Sequence, residues 1–446
     1  MKLLRVYIEK LHKYISTDLR FDDDLSIITG VNGSGKTQIL RLIDATLRLN
    51  IDYLDEIDFS IFSLEFEHEQ EIFTITIIKN SNYFSFTVNN QTIKISKERT
   101  KNSIFTRSET IKDDFIFQYQ SLLASNPATS FLVFSQIRPP LLLGLNRIVE
   151  NDEDERSISL KFKKTSGWVS EKNLKEKENH NDHMFNSISQ CKKLIMNESE
   201  SIMKYEDAQA SVLRNKIIAS SFDYLDGELL SPDVLANKLQ NVYDRKNSII
   251  EELEKLKIND ANTNTQIGVF FNKLDKLKYN FDKNKKNEIT FELLLNLSQI
   301  ERVSNIISIV DENKKTMDIK REKLTLFVNT VNEFFRYTGK SIVITSLGRV
   351  FVVVNKKHKV DLEKLSSGEM QLVSIISNMI FCKNNNRGLV LIIDEPEISL
   401  HIKWQEIFIE VLQNIKKDAQ LILATHSPDI IGDNLEFCRP IENKGW

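Results

Sequence analysis

Eight residues, Gly30-Val31-Asn32-Gly33-Ser34-Gly35-Lys36-Thr37, have the types and spacing needed to hold a chain of phosphates. Glycines leave backbone N–H groups bare, and a helix starting at the end of such a loop aims more N–H groups and its dipole at an anion. In the pattern G-x-x-x-x-G-K-[S/T], the lysine (Lys36) reaches the β- and γ-phosphates and the threonine hydroxyl (Thr37) holds Mg²⁺. A chance glycine turn is the alternative, but the pattern arises by accident in roughly one chain in a hundred of this length. Nucleotide binding is therefore expected.

Three further stretches suit the same chemistry. Leu391-Ile392-Ile393-Asp394-Glu395-Pro396 reads as an apolar strand ending in two carboxylates. Asp394 can hold Mg²⁺ through water, and Glu395, aimed differently, can polarise an attacking water as general base. Leu365-Ser366-Ser367-Gly368-Glu369-Met370-Gln371 sits at a helix start. A serine and a glycine there form a second anion site; the alternative is a plain N-cap by Ser366 or Ser367, with Glu369 in the first turn. His426 ends a strand in Ala424-Thr425-His426-Ser427-Pro428. At a strand's carboxyl end a polar group points into the ligand crevice of an open α/β sheet, although a structural histidine is the alternative.

The elements that must position these residues are legible in outline. Leu25-Ser26-Ile27-Ile28-Thr29 is extended and apolar ahead of the glycine loop, and Ile39, Leu40, Leu42, Ile43 and Leu47 repeat at helical spacing behind it. Residues 60–96 alternate with period two and carry turn residues such as Asn89-Asn90, which predicts an antiparallel meander. Ser130-Phe131-Leu132-Val133-Phe134-Ser135-Gln136 reads as a strand. Residues 150–185 are polar and mixed in charge and read as a long loop; His180 and His183 within it form a conceivable metal pair but are read as solvated.

The middle of the chain is helical. Leu235 to Leu256, Ile267 to Phe281 and Ile300 to Phe335 each step by three and four, with a breaker at 259–264. Such heptads argue an antiparallel helical hairpin or short coiled-coil arm, and an ordinary bundle is the alternative. A 25-residue arm would reach roughly 35–40 Å. Strands resume after Gly339, and 388–393 and 420–425 are continuous apolar runs of the kind buried on both faces of a parallel sheet.

Composition narrows the partners. The 446 residues carry a net charge of −3, so no global basic excess advertises nucleic acid, and such contact would need a local patch. No run approaches ~18 apolar residues, so no membrane span is expected. The N-terminal Met1-Lys2-Leu3-Leu4-Arg5 is too charged for a signal peptide and reads as a strand. Cys191, Cys382 and Cys438 are scattered, which indicates neither a disulfide framework nor a zinc site; a reduced cytoplasm is expected.

These motifs, in this order, resemble the ABC-type ATPase heads of the RecF, Rad50 and SMC group, over residues 1–50, 125–140 and 335–432. The resemblance implies an α/β fold: a two-lobed P-loop ATPase head with an inserted helical or coiled-coil domain. It implies lobe I over 1–147, a polar loop over 148–190, the helical insertion over 191–337 and lobe II over 338–446. ATP would lie along Gly30, Asn32, Gly33, Ser34, Gly35, Lys36, Thr37 and Gln38. Mg²⁺ would be held by Thr37, Asp394 and Gln136, with Gln118 and Gln120 competing for the last role. Glu395 would be the catalytic base and His426 the switch histidine that senses the γ-phosphate. Ser366, Ser367, Gly368 and Glu369 would form the signature that closes over the nucleotide of another subunit, so a homo-oligomer is implied, a dimer of heads or a higher form such as a hexamer.

Two departures matter. The N-terminal strand of this group carries Asn-Phe followed by Arg or Lys; here the segment is Ile8-Glu9-Lys10-Leu11-His12-Lys13-Tyr14, which leaves the basic nucleotide contact between His12 and Lys13. After the acidic pair, His401 stands where SMC proteins carry Asp. That ending looks more like the "overcoming lysogenization defect" type and the ATPase subunits of anti-phage systems such as PARIS and Septu. No nuclease constellation is visible in this chain. The resemblance thus implies a sensor or scaffold ATPase acting on a separate effector, a Toprim or HNH nuclease; the alternative is a RecF-like DNA-binding ATPase of repair or chromosome maintenance.

Overall fold

The computed structural model describes residues 1–96, 107–126, 128–143, 180–220, 240, 242, 244–245, 265, 268–276, 279, 291–381, 388–398 and 400–441. The chain divides into two compact units. The first holds Met1–Ile195, Leu326–Thr345 and Arg349–Trp446; the second holds Met196–Thr325 and Ser346–Gly348.

The first unit is built on two larger sheets. β1 (Lys2–Leu11) and β2 (Ile15–Arg20) form a hairpin that continues into β4 (Ile61–His68), β5 (Glu71–Lys79), β6 (Tyr83–Val88) and β7 (Gln91–Ser96), all antiparallel, in the order β2-β1-β4-β5-β6-β7. Alternate residues such as Phe62, Leu64 and Phe66 are fully buried while Ser63, Glu65 and Glu67 take the opposite face, which is the period-two pattern of a sheet packed on one side.

The second sheet is parallel. Its order is β14-β3-β13-β12-β8, from β14 (Cys438–Pro440), β3 (Leu25–Thr29), β13 (Gln420–Ala424), β12 (Val390–Asp394) and β8 (Leu141–Leu143). Every residue of β12 and β13 is buried, as their continuous apolar sequence requires. Helix α1 (Lys36–Leu47) contributes Ile39, Leu40, Leu42 and Ile43 to one core that also takes in Val6, Phe62 and Phe86 of the antiparallel sheet and Ile392 and Ile422 of the parallel one. Beyond α1 come α2 (Ile51–Glu56) and α3 (Arg107–Ser125).

A segment expected as strand is helical. Residues 130–136 fold as a 3₁₀ turn (Ser130–Leu132) running into α4 (Val133–Gln136). A continuous apolar run fits helix and strand equally, and here aromatic packing decides. Phe131 lies 6.1 Å from both Phe86 and Tyr119 and 6.2 Å from Phe134, centroid to centroid. The strand that pairs with β12 is instead Leu141–Leu143, just past Pro139 and Pro140.

The loop expected over 148–190 is also shorter than that at its end. α5 (His180–Ser220) begins at His180, so His180 and His183 fall on a helix; 150–179 lie outside the described residues. α6 (Phe291–Phe335) contains the third heptad seam. Most of the first seam, 235–256, lies outside the described residues, whereas 268–276 of the second, 267–281, are described and helical.

Within the second unit α5 and α6 run antiparallel. Glu206 pairs with Arg321 and, a few turns on, Lys216 pairs with Glu312 at 3.6 Å. Ile202 and Leu213 of α5 are buried, as are Ile300, Ile307, Val310 and Met317 of α6. The apolar stripe of α6 matches its heptad; its partner is α5, whose buried Ile188, Cys191, Ile195 and Ile202 step by three, four and seven.

The remaining elements of the first unit are a small antiparallel sheet, β11-β10-β9, from β9 (Lys340–Ile344), β10 (Val350–Val354) and β11 (His358–Val360), and the helices α7 (Ser367–Phe381), α8 (Ile402–Ile415) and α9 (Pro428–Ile431). Trp404 of α8 packs its ring near Phe334 and Phe335 and donates its indole N–H to the Phe334 carbonyl at 3.0 Å. No helix among the described residues is long and apolar enough to cross a membrane.

Candidate nucleotide site

Three adjacent strands of the parallel sheet bring the chemistry together at their carboxyl ends. Gly30 follows β3, Asp394 closes β12 with Glu395 next, and Thr425-His426 follow β13, which lies between them. In open α/β sheets this edge is the ligand crevice.

Backbone geometry explains the glycines. Gly30 has φ 154°, and a Cβ there would lie 2.8 Å from Ser34 Oγ. Gly35 has φ 94°, and its Cβ would come within 3.2 Å of Ile15 and 3.3 Å of Leu11. The β1–β2 turn therefore presses directly on the loop. Gly35 is also the N-cap of α1 and brings no side-chain cap, so the first-turn N–H groups are left for an outside acceptor.

Lys36 is buried and donates to the carbonyls of Gly30 at 3.0 Å and Val31 at 3.4 Å; its Nζ also hydrogen-bonds His426 Nε2. Burial pushes its ammonium below the ordinary lysine value, against the opposing pull of Glu395, Asp394 and Glu397. Asp394 is 3% exposed. Burial pushes its carboxyl up, the Thr37 hydroxyl that donates to it pulls down, Glu395 pushes up, and Arg41 and Lys36 pull down.

Asp394 Oδ1 and Ser34 Oγ are buried without a hydrogen-bond partner. A buried polar atom left unmet costs about 1–3 kcal/mol, so both atoms fit a group that arrives from outside. Among the described residues no three His, Cys, Asp or Glu side chains converge as a metal cluster. Mg²⁺ asks for only one or two protein ligands beside phosphates and waters, and Thr37 with Asp394 supply that many.

Glu395 adopts φ 49°, left-handed backbone that costs a non-glycine residue about 1–3 kcal/mol and is found at functional sites. Its N–H donates to the Ala424 carbonyl at 2.8 Å, tying it to the strand that carries His426.

At the start of α7, Ser366 forms a capping box with Glu369: the Ser366 N–H and hydroxyl both donate to Glu369 Oε2 at 2.9 Å, and the Glu369 N–H returns to Ser366 Oγ at 3.4 Å. Glu369 is buried and is also held by Lys340 at 2.7 Å. The capping alternative thus describes the local geometry. Ser366 and Ser367 remain exposed, with Gly368 buried behind them.

His12 and Lys13 occupy the exposed β1–β2 turn with φ 51° and 77°; this is the turn whose flanking Leu11 and Ile15 touch Gly35. Gln38 accepts from the Tyr53 hydroxyl at 2.7 Å. Gln136 ends α4 and precedes the amino end of β8, so it is not among the residues that follow a carboxyl end of the parallel sheet. Gln118 and Gln120 lie on α3, where the Gln118 amide donates to the Lys94 carbonyl at 3.3 Å. His401 caps α8 through Nδ1.

Glu397 was not singled out by the sequence. It accepts from the His426 N–H at 2.8 Å and from the Thr425 hydroxyl at 2.7 Å. Its only sequence signal is a third acid beside the pair, in Asp394-Glu395-Pro396-Glu397.

A glycine loop, a carboxylate pair and a histidine on neighbouring strand ends define a P-loop ATPase head. The chain belongs to the AAA ATPase domain family, whose profile (AAA_15) matches residues 1–431. It is 28% identical over 166 residues to the retron Vc95 probable ATPase of Vibrio cholerae serotype O1 biovar El Tor, a match covering 34% of this chain and 32% of that protein. It is 48% identical over 41 residues to the DNA double-strand break repair Rad50 ATPase of Methanosarcina mazei, 9% of this chain and 4% of that one. The chain thus matches about a third or less of the length of these relatives. Among solved structures it is similar to the Smc head domain with an extended coiled coil from Pyrococcus furiosus (TM-score 0.42, 12% identity, 100% of this chain and 94% of that chain). It is also similar to the SMC head domain from Thermotoga maritima (TM-score 0.37, 12% identity, 99% and 94%).

Proposed function

We propose that this chain binds and hydrolyses ATP with Mg²⁺, in the cytoplasm, as the sensor or scaffold ATPase of an anti-phage defence assembly that controls a separate nuclease effector. The observation that carries the ATPase reading is the meeting of Lys36, Asp394, Glu395 and His426 on three neighbouring strand ends. Lys36 and the bare N–H groups of α1 grip the triphosphate. Thr37 and Asp394 would hold Mg²⁺, which would supply neutralising charge for the phosphate oxygens. Glu395 takes the proton of the attacking water, and His426 contacts the γ-phosphate. The exposed Ser366 and Ser367, with Gly368, close over the nucleotide of a second copy, so ATP joins heads into a dimer or larger ring.

Support for the defence role is the similarity to a retron ATPase; the PARIS- or Septu-like character rests on the motif resemblance. The test is phage challenge of bacteria carrying this gene with its neighbours. Protection lost in Lys36→Ala and in a knockout of an adjacent nuclease gene is expected; protection unchanged in both would refute the role.

A DNA-binding role is favoured by one observation. Net charge is −3, yet Lys356, Lys357, His358 and Lys359 are all exposed at the β10–β11 turn. Asn355 N–H donates to the Gly339 carbonyl at 3.1 Å, which sets that turn beside the exposed Arg336 and Tyr337. Lys403 lies 5.8 Å from the Tyr337 ring centroid. If about four of these cations meet phosphates, log K should fall against log[salt] with a slope of about −3 to −4. A Lys356→Glu, Lys357→Glu, Lys359→Glu variant with the same affinity and slope would exclude this surface.

A further inference from the structure

Glu397 stands just past Glu395 on the turn after β12 and reaches across to the residues after β13. One carboxylate oxygen accepts from the His426 N–H at 2.8 Å and the other from the Thr425 hydroxyl at 2.7 Å. The same turn is held a second time. Gln405 of α8 donates to the carbonyls of Leu400 at 2.9 Å and Glu397 at 3.4 Å, and accepts from the Ser427 hydroxyl at 2.6 Å. Both residues flanking His426 are therefore tied by their hydroxyls to the segment carrying Glu395, Thr425 directly and Ser427 through Gln405. Thr425, Ser427 and Gln405 are buried, while His426 itself is exposed.

The chemistry of these bonds is specific. An ionised carboxylate only accepts, and here both of its oxygens face donors. Charge-assisted bonds of this kind are about twice as strong as neutral ones. The pair leaves the imidazole to reach out of the pinned loop toward the glycine loop, where its Nε2 is hydrogen-bonded to Lys36.

We propose that Glu397, backed by Gln405, is a positioning residue: it clamps the loop bearing His426 to the turn bearing Glu395, so that base and switch histidine move as one body. The inference rests on the ATPase reading above. Glu397 touches no reacting atom; it acts through His426. Its removal should lower turnover far more than nucleotide affinity, because the N–H groups of α1 that face the triphosphate are set by the glycine loop and not by Glu397.

The experiment is steady-state ATP hydrolysis by the full chain, with a fluorescent ATP analogue as the binding probe. Glu397→Gln turns one acceptor into an amide donor; a kcat loss of about 10- to 100-fold is expected from the misplaced loop, with analogue affinity within about twofold of wild type. Thr425→Val removes one leg without changing shape and should show a smaller loss of the same kind, which serves if Glu397→Gln folds poorly. Because the clamp works through His426, Glu397→Gln should cost less than about twofold in a His426→Ala background. Equal fold-losses in both backgrounds, or wild-type turnover in Glu397→Gln and Thr425→Val, would overturn the clamp while the ATPase reading stands. Wild-type turnover in His426→Ala and Glu395→Gln would instead overturn the ATPase assignments, and the clamp with them.

Discussion

Lys36 and His426, 390 positions apart in the chain, are hydrogen-bonded to each other through Nζ and Nε2. The contact joins the end of the glycine loop to the end of β13. Lys36 is also bonded to the carbonyls of Gly30 and Val31, so its ammonium is already aimed across the loop that a phosphate chain would occupy. The cost of burying that charge, visible as a lowered pKa, is largest without an anion. A triphosphate would relieve it.

Lys36→Ala should therefore lose nucleotide affinity by about 10- to 100-fold, the worth of one to two charge-assisted bonds. Titration of the full chain with a fluorescent ATP analogue measures this. Affinity within twofold of wild type would remove Lys36 from the phosphate site.

Glu395→Gln keeps the size of the side chain and removes its capacity as a base. Turnover should fall on the order of 10²–10⁴-fold, with nucleotide affinity retained. If ATP joins heads, this variant should accumulate a larger species on size-exclusion chromatography with Mg²⁺ and ATP. Hydrolysis at the wild-type rate would exclude Glu395 as the base.

Burial holds the Asp394 carboxyl above its ordinary value near 3.8. Between the unfolded and folded values the folded protein then binds more protons than the unfolded chain. Its contribution to stability is present in full below about pH 4 and is lost as pH rises through the raised value. Asp394→Asn escapes this penalty. In nucleotide-free protein at neutral pH it should be more stable than wild type by about 1 kcal/mol, the size of an ordinary single-substitution effect. The difference should shrink toward pH 4, and Mg²⁺-dependent hydrolysis should be lost. Urea unfolding at several pH values reads it; a gain that does not vary with pH would show that burial of charge is not the cause.

Legibility in the sequence followed physical distinctness. The glycine loop, the β12 and β13 runs and the meander were readable because each has a period or composition that few alternatives share. Segment 130–136 was misread because Phe131 and Val133 would be buried in either conformation; the ring cluster with Phe86 and Tyr119 selected the helix. β8 is three residues long, too short to show a period. Most of α5 falls in the helical insertion expected over 191–337; its start was read as loop because His180 to Ser187 is polar but for Met184-Phe185. Glu397 was invisible as a clamp because its partners are a backbone N–H and a hydroxyl on another strand end. Sequence shows neither.

The last prediction concerns whether one site needs two chains. Ser366 and Ser367 are exposed at the start of α7, and the capping box holds Ser366 in place rather than hiding it. Ser366→Arg puts a bulky cation where a second copy's phosphates would approach and should be inactive alone. Lys36→Ala should also be inactive alone. In a mixed dimer, the Ser366→Arg subunit supplies an intact Lys36 and the Lys36→Ala subunit an intact Ser366, so one of the two composite sites is complete and the other doubly broken. Mixing the two inactive proteins should therefore restore part of the hydrolysis rate, rising with the fraction of mixed dimers. Adding Glu395→Gln to the Ser366→Arg subunit, whose Lys36 serves the complete site, should abolish the recovery. The same change in the Lys36→Ala subunit should not. No recovery in mixtures that demonstrably associate would mean that each chain completes its own site.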